Sequence, residues 1–257
     1  MTEPIELSFR EGVAHLTLNR PNAANTVNLA LAGRLREHVE ALEAEQPRAV
    51  VISARGRAFC GGGDVREMGE AADLPAYLDR LASVFHEALL RLSRLDAVLI
   101  AAVDGAAAGG GLGLALNADV RIATPRARFL TAYETVGLTP DSGVSFLLPR
   151  VIGAGRAAAM STLSQVMDAA TAVSCGLVAE VVDVGQTAAR VRQLAEEVPG
   201  GARAHLSATR RLLRGDADEQ FAAALDAERV ALARAAASPA TQSLIRDFVR
   251  RQKEKQP

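Results

Sequence analysis

The spacing of apolar and polar positions changes period along this 257-residue chain. Ile5–Phe9 and Val13–Asn19 alternate around Glu11-Gly12, the period of a β-hairpin, and Arg20-Pro21-Asn22 ends it. A helical period follows: Leu31, Leu35, Val39 and Leu42 share one face of a helix from Leu29 to Glu45, with Asn28 as its cap. Ala49–Ser53 and Val98–Val103 are apolar runs of strand length, and between them Leu78, Leu81, Phe85, Leu89 and Leu92 mark a helix over Pro75–Leu95. Strands at Asp119–Ala123 and Val178–Val184 and a helix near Val144–Val151 continue the alternation. From Gln186 onward the period is helical only, over Thr187–Glu197, Ala202–Leu213, Asp218–Ala236 and Pro239–Lys255. Alternating strands and helices followed by helices alone predict an α/β core over residues 1–195 and a helical C-terminal region over 196–257.

Glycine interrupts the pattern twice. Ile100–Leu116 reads IAAVDGAAAGGGLGLAL, and residues 55–64 read RGRAFCGGGD. Gly and Ala leave the main chain uncovered, so a ligand can come close to its amides. A helix starting near Gly109–Gly111 adds unpaired N–H groups and a positive dipole end. Close packing of a buried helix on a strand would use the same residues. Two such loops could each aim one N–H at a single atom, as in an oxyanion hole. A dinucleotide fingerprint fits poorly, because Leu116 stands where the third Gly or Ala after Gly111-Leu112-Gly113 belongs.

Composition narrows the function class. With 29 basic and 30 acidic residues, nothing favours nucleic acid or an anionic membrane. Cys60 and Cys175 have no nearby Cys or His, so neither a disulfide framework nor a metal site is expected. The opening MTEPIELSFREG lacks an apolar signal core, and Asp104 with its glycines breaks the longest apolar run, so a cytoplasmic protein is expected. His15, His38, His86 and His205 fall away from both glycine loops and read as ordinary packed or surface residues. Asp141 is better placed, in a Pro-Asp-Ser-Gly turn between apolar segments, where partial desolvation suits a base. The same spacing also suits a helix N-cap, and spacing alone favours the cap.

Longer matches bring in a family. GRAFCGGGDVREM (56–68) and DGAAAGGGLGLALNADVRIA (104–123) resemble the two signatures of the crotonase superfamily, the enoyl-CoA hydratases and isomerases. VAHLTLNRPNAANTVN (13–28), the segment 127–153, GLVAEVVD and the tail around Phe248 are similar and in family order. The resemblance implies a ββα spiral core, a helical C-terminal trimerisation region giving a homotrimer or a dimer of trimers, and an acyl-CoA substrate. No separate cofactor is implied, coenzyme A being part of the thioester. It implies oxyanion-hole amides at Gly63 and Gly110, and coenzyme A contacts around Cys60, Gly61, Gly62, Asp64 and Val65, with Phe248 from the tail. The family's basic residue before Asn25 is replaced by Ala24, so phosphate contacts fall to Arg20, Arg57 or a neighbouring subunit.

The departures bear on the reaction. The two glutamates of the family's hydratases correspond to Gly113 and Tyr133, and Glu134 is one residue out of place. Asp141 stands where the ring-epoxide and dienoyl-CoA isomerases carry an aspartate. The resemblance therefore implies an isomerase with Asp141 as acid/base and Tyr133 or Glu134 as further members of the site. A hydratase for an unusual acyl-CoA and a non-catalytic acyl-CoA binder are the alternatives. The absence of Trp, with only Tyr77 and Tyr133 as tyrosines, counts against an aromatic-lined pocket and against dehalogenase-like chemistry.

Overall fold

The computed structural model describes residues 3–199, 203–214 and 217–254. It opens with the expected hairpin, β1 (Ile5–Arg10) and β2 (Val13–Leu18), and then α1 (Leu29–Glu45), whose first turn is capped by the Asn28 side chain. β3 (Ala49–Ala54) leads through the first glycine loop to α2 (Val65–Glu70) and α3 (Leu74–Ser93). β4 (Val98–Val103), β5 (Ala106–Ala108) and α4 (Gly110–Asn117) form the next turn of chain, and β6 (Val120–Ala123) and β7 (Arg128–Leu130) begin a third. α5 (Val144–Ile152), α6 (Ala154–Thr162), β8 (Met167–Asp168), α7 (Ala169–Ser174) and β9 (Glu180–Val181) follow. α8 (Thr187–Glu197), α9 (Arg203–Arg214), α10 (Ala217–Ala236) and α11 (Pro239–Glu254) complete the chain.

The strands make two sheets. One has the order β1-β2-β3-β4-β6-β9, with β1 antiparallel and the rest parallel; the other is β5-β7-β8. Successive turns send one strand to each sheet before a helix, and at Cys60 the first glycine loop joins the second sheet by a parallel bridge to Ala107. This is the ββα spiral. Period-two alternation divides the residues of the large sheet between two cores. Leu16, Val50, Ile52, Leu99 and Ala101 face the main core, which α1, α3 and α4 complete. Val13, Val51, Ile100 and Ile122 face a smaller one, closed by Val191, Ala195 and Val198 of α8 and the residue after it.

The structure corrects several local expectations. The strand expected over Val178–Val184 shrinks to Glu180–Val181, because this edge pairs only with β6. The short strands β5, β7 and β8 carry too few residues to show a period. Asp141 does not cap the helix after it: Gly143 occupies that position, and α5 has no side-chain cap.

The C-terminal helices fold back on their own chain. Leu225 is buried with Phe146 and Phe221, and Ile245 is buried in the main core. Val230 and Leu244 remain exposed. No described helix is long and apolar enough to cross a membrane.

Candidate active site

The two glycine loops meet because consecutive turns of the spiral stack. Val27 donates to the carbonyl of Gly62 at 2.7 Å, and Gly109 donates to that of Leu130 at 3.1 Å. Gly62 (φ +88°) comes so close to the neighbouring turn that a Cβ would lie 3.0 Å from the carbonyl oxygen of Ala108. At Gly111 a Cβ would meet the Cys60 carbonyl oxygen at 2.4 Å, so this glycine is required by packing. The amides of Gly63 and Gly110 donate to no acceptor among the described residues, and both residues line a cavity of about 410 Å³. Gly110 is also the first residue of α4, so its amide carries the positive end of that helix.

The cavity is mainly apolar, walled by Leu78, Leu81 and Phe85 of α3 and by Leu232 and Phe248 of the last two helices. With Phe85, Tyr133 and Phe248 it holds more aromatic surface than the composition suggested. Its one carboxylate, among the described residues, is Asp141. Gly61, Gly62, Val65 and Phe248 line the cavity, but Ala24, Cys60 and Asp64 do not.

The residues off the cavity have structural work. Ala24 packs beneath Gly61 and accepts its N–H at 2.9 Å. Burial pushes the Cys60 thiol up to about 12, and its main chain pairs with Ala106 and Ala108. The Asp64 carboxylate is held by Thr26 at 2.9 Å and Arg20 at 3.1 Å. Arg20 is thereby committed to the loop, whereas Arg57 is exposed.

The turn carrying Asp141 lies beside Gly110, where a Cβ would come 3.1 Å from the Ser142 hydroxyl oxygen. Ser142 (φ +62°) and Gly143 (φ +81°) are both left-handed, a conformation that costs energy at a non-glycine residue and turns successive amides to one side. Glu228 of α10 accepts those amides, Gly143 N–H at 2.7 Å and Ser145 N–H at 2.9 Å, together with the Ser145 hydroxyl. Asp141 itself is gripped at both oxygens. His86 Nε2 lies 2.7 Å from Oδ1, and the Ser142 hydroxyl donates to Oδ2 at 3.0 Å. The Tyr133 hydroxyl donates to the Asp141 carbonyl oxygen at 2.7 Å. Burial, with the nearby charges of Asp141 and Glu228, raises the Tyr133 pKa well above its ordinary value, so the phenol stays a donor.

Two of these groups carry shifted titrations. Burial opposes charge on His86, but Asp141 and Glu228 outweigh it and raise the imidazole above its ordinary value. Burial and the Asp141 charge raise Glu228, against the hydrogen bonds it accepts. His86, Asp141 and Glu228 lie close enough to suggest a metal site, yet both Glu228 oxygens already accept protein hydrogen bonds.

Glu134 does not join this group. It begins a 3-10 turn, Glu134–Val136, takes a hydrogen bond from Thr131 at 3.3 Å, and is absent from the cavity wall. His86 and Glu228 are the members that the periodicity passed over. Each had a signal, a polar residue inside an apolar stripe. His86 follows Ala82 and Phe85 and precedes Leu89, all buried; Glu228 lies in register with Phe221, Leu225 and Leu232.

Comparison with known proteins agrees with this architecture. The enoyl-CoA hydratase/isomerase family model matches residues 8–256. A 1,2-epoxyphenylacetyl-CoA isomerase of Escherichia coli is 35% identical over 204 residues, 77% of each chain. A probable enoyl-CoA hydratase of Mycobacterium tuberculosis is 37% identical over 188 residues, 73% of each chain. The crystal structure of an enoyl-CoA hydratase/isomerase from Pseudoalteromonas atlantica superposes with a TM-score of 0.86 at 28% identity, over 96% of this chain and 97% of that one. With a family model spanning nearly its whole length, the chain belongs to the enoyl-CoA hydratase/isomerase family.

Proposed function

We propose that this protein is an acyl-CoA isomerase, moving the double bond of an unsaturated acyl-CoA through a thioester enolate. The observation that carries this reading is that Asp141, the single carboxylate among the described residues of the cavity wall, shares that cavity with two unpaired amides. Asp141 removes the C2 proton of a 3-enoyl thioester and returns it to C4. The Gly63 and Gly110 amides hold the oxygen on which charge develops in between, and such a donor is typically worth about 3 kcal/mol. The proton that leaves C2 is the one that arrives at C4, so one base suffices.

Syn hydration calls for a second carboxylate, and the fold leaves no room for one at position 113. A Cβ on Gly113 would lie 2.3 Å from the Ser142 carbonyl oxygen, because the Asp141 turn packs on α4 there. The apolar wall from Leu78 to Phe85 and from Leu232 to Phe248 favours a hydrocarbon or aromatic acyl group. An E. coli relative that isomerises a phenylacetyl-CoA epoxide accords with that choice.

The test is a spectrophotometric panel of 2-enoyl, 3-enoyl, 3,5-dienoyl and ring-type CoA esters, with wild type and Asp141→Asn. Isomerisation by wild type is expected, reduced about 100- to 10,000-fold in the variant. Hydration of 2-enoyl esters without isomerisation, or an unimpaired variant, would overturn the reading.

A further inference from the structure

We propose that His86 is a positioning residue for Asp141, gripping the carboxylate from behind the cavity wall so that its free lone pairs face the acyl group. The inference rests on the assignment of Asp141 as the base. Asp141 and Ser142 line the cavity, but His86 does not; it reaches Oδ1 from the α3 side at 2.7 Å. Nε2 also lies 3.3 Å from the Ser142 N–H, and one nitrogen cannot both donate and accept. The shorter contact, to a carboxylate, takes the proton, so Nε2–H donates to Asp141 in both the neutral and the charged ring. His86 is buried, and α3 fixes its main chain, which makes the grip rigid.

The charges acting on the imidazole come from three residues on two elements. Asp141 belongs to the turn before α5, and Glu228 and Arg229 project from α10. Arg229 is itself paired with Asp79 on α3, and Glu228 is saturated by the amides of the turn. Asp141 is thus left as the direct partner of His86. The protonated and the neutral ring both donate to it and keep it oriented.

Two measurements on the full-length protein test this. In the first, histidine ¹⁵N NMR without substrate follows the His86 ring through a pH titration. A midpoint above 6.5 that falls in Asp141→Asn is expected, and a midpoint unaffected by that substitution overturns the proposal. In the second, His86→Leu and His86→Gln are compared on the 3-enoyl ester. His86→Leu should lose about 100-fold in kcat with little change in KM, since a displaced catalytic group costs about that much. His86→Gln, which keeps a donor but not a charge, should recover most of the kcat. Wild-type kcat and pH profile in His86→Leu, or an equal loss in both variants, would sink the proposal. Should the ester panel show no isomerisation, the isomerase reading fails, and the NMR titration still decides whether His86 holds Asp141.

Discussion

In the cavity lining, Gly63 and Gly110 contribute main chain and Asp141 contributes a side chain, and different forces hold the two walls. The glycine wall is held by strand-like bonds between adjacent turns of the spiral, and its shape depends on side chains being absent. The Asp141 wall contains two consecutive left-handed residues, and its partners are distant in sequence. His86 is 55 residues away, and Glu228 lies 85 residues beyond Gly143. Donors made of backbone need only a fold. A carboxylate that must keep its charge and direction needs a second layer of polar residues behind it.

Three substitutions separate the walls, beginning with the largest expected effect. Gly111→Ala places a methyl group against the Cys60 backbone and should cost about 3 kcal/mol, a typical overpacking penalty where the backbone cannot move aside. Denaturant titration measures it; an unchanged midpoint would show that the loops are looser than drawn. Glu228→Ala strips the acceptor from the Gly143 and Ser145 amides and should cost about 2 kcal/mol for buried donors left unmade. Its kcat should fall while a CoA thioester still binds, because the glycine wall is untouched. Equal losses in binding and turnover would show that the two walls form one unit.

The smallest effect is a pH dependence of stability. The His86 pKa is raised in the folded protein, so the contribution of its charge is fully present below the unfolded value near 6.5. That contribution is lost as pH rises through the folded value. The gap in Tm between wild type and His86→Gln should therefore narrow from mildly acidic to alkaline buffer. A gap that widens with pH would reverse the assigned sign.

The same contrast explains what could be read in advance. The hairpin, α1, α3 and the glycine loops follow from local spacing, because each is formed by residues near one another in the chain. Asp141 stood out as a charged residue in a tight apolar turn, but spacing alone assigned it to a helix cap. Gly143 takes the cap position instead, and Asp141 is held by His86, which reaches the turn across a distance that no period in the sequence encodes. The residues for which coenzyme A contacts were expected divide in a similar way. Gly61, Gly62 and Val65 face the cavity, whereas Cys60 is held inward by both its peptide groups and its packing on Gly111. Which face a loop residue presents is decided by the neighbouring turn of the spiral, not by its own neighbours in sequence.

The fold-back of the last two helices has a consequence for how the enzyme comes into being. Leu232 and Phe248 line the cavity and Glu228 braces its Asp141 turn, so a chain made from its N-terminus can form the spiral before the site is complete. The two amides can be in place while the Asp141 turn still lacks its brace. The cavity is therefore complete only once α10 and α11 have docked on the spiral.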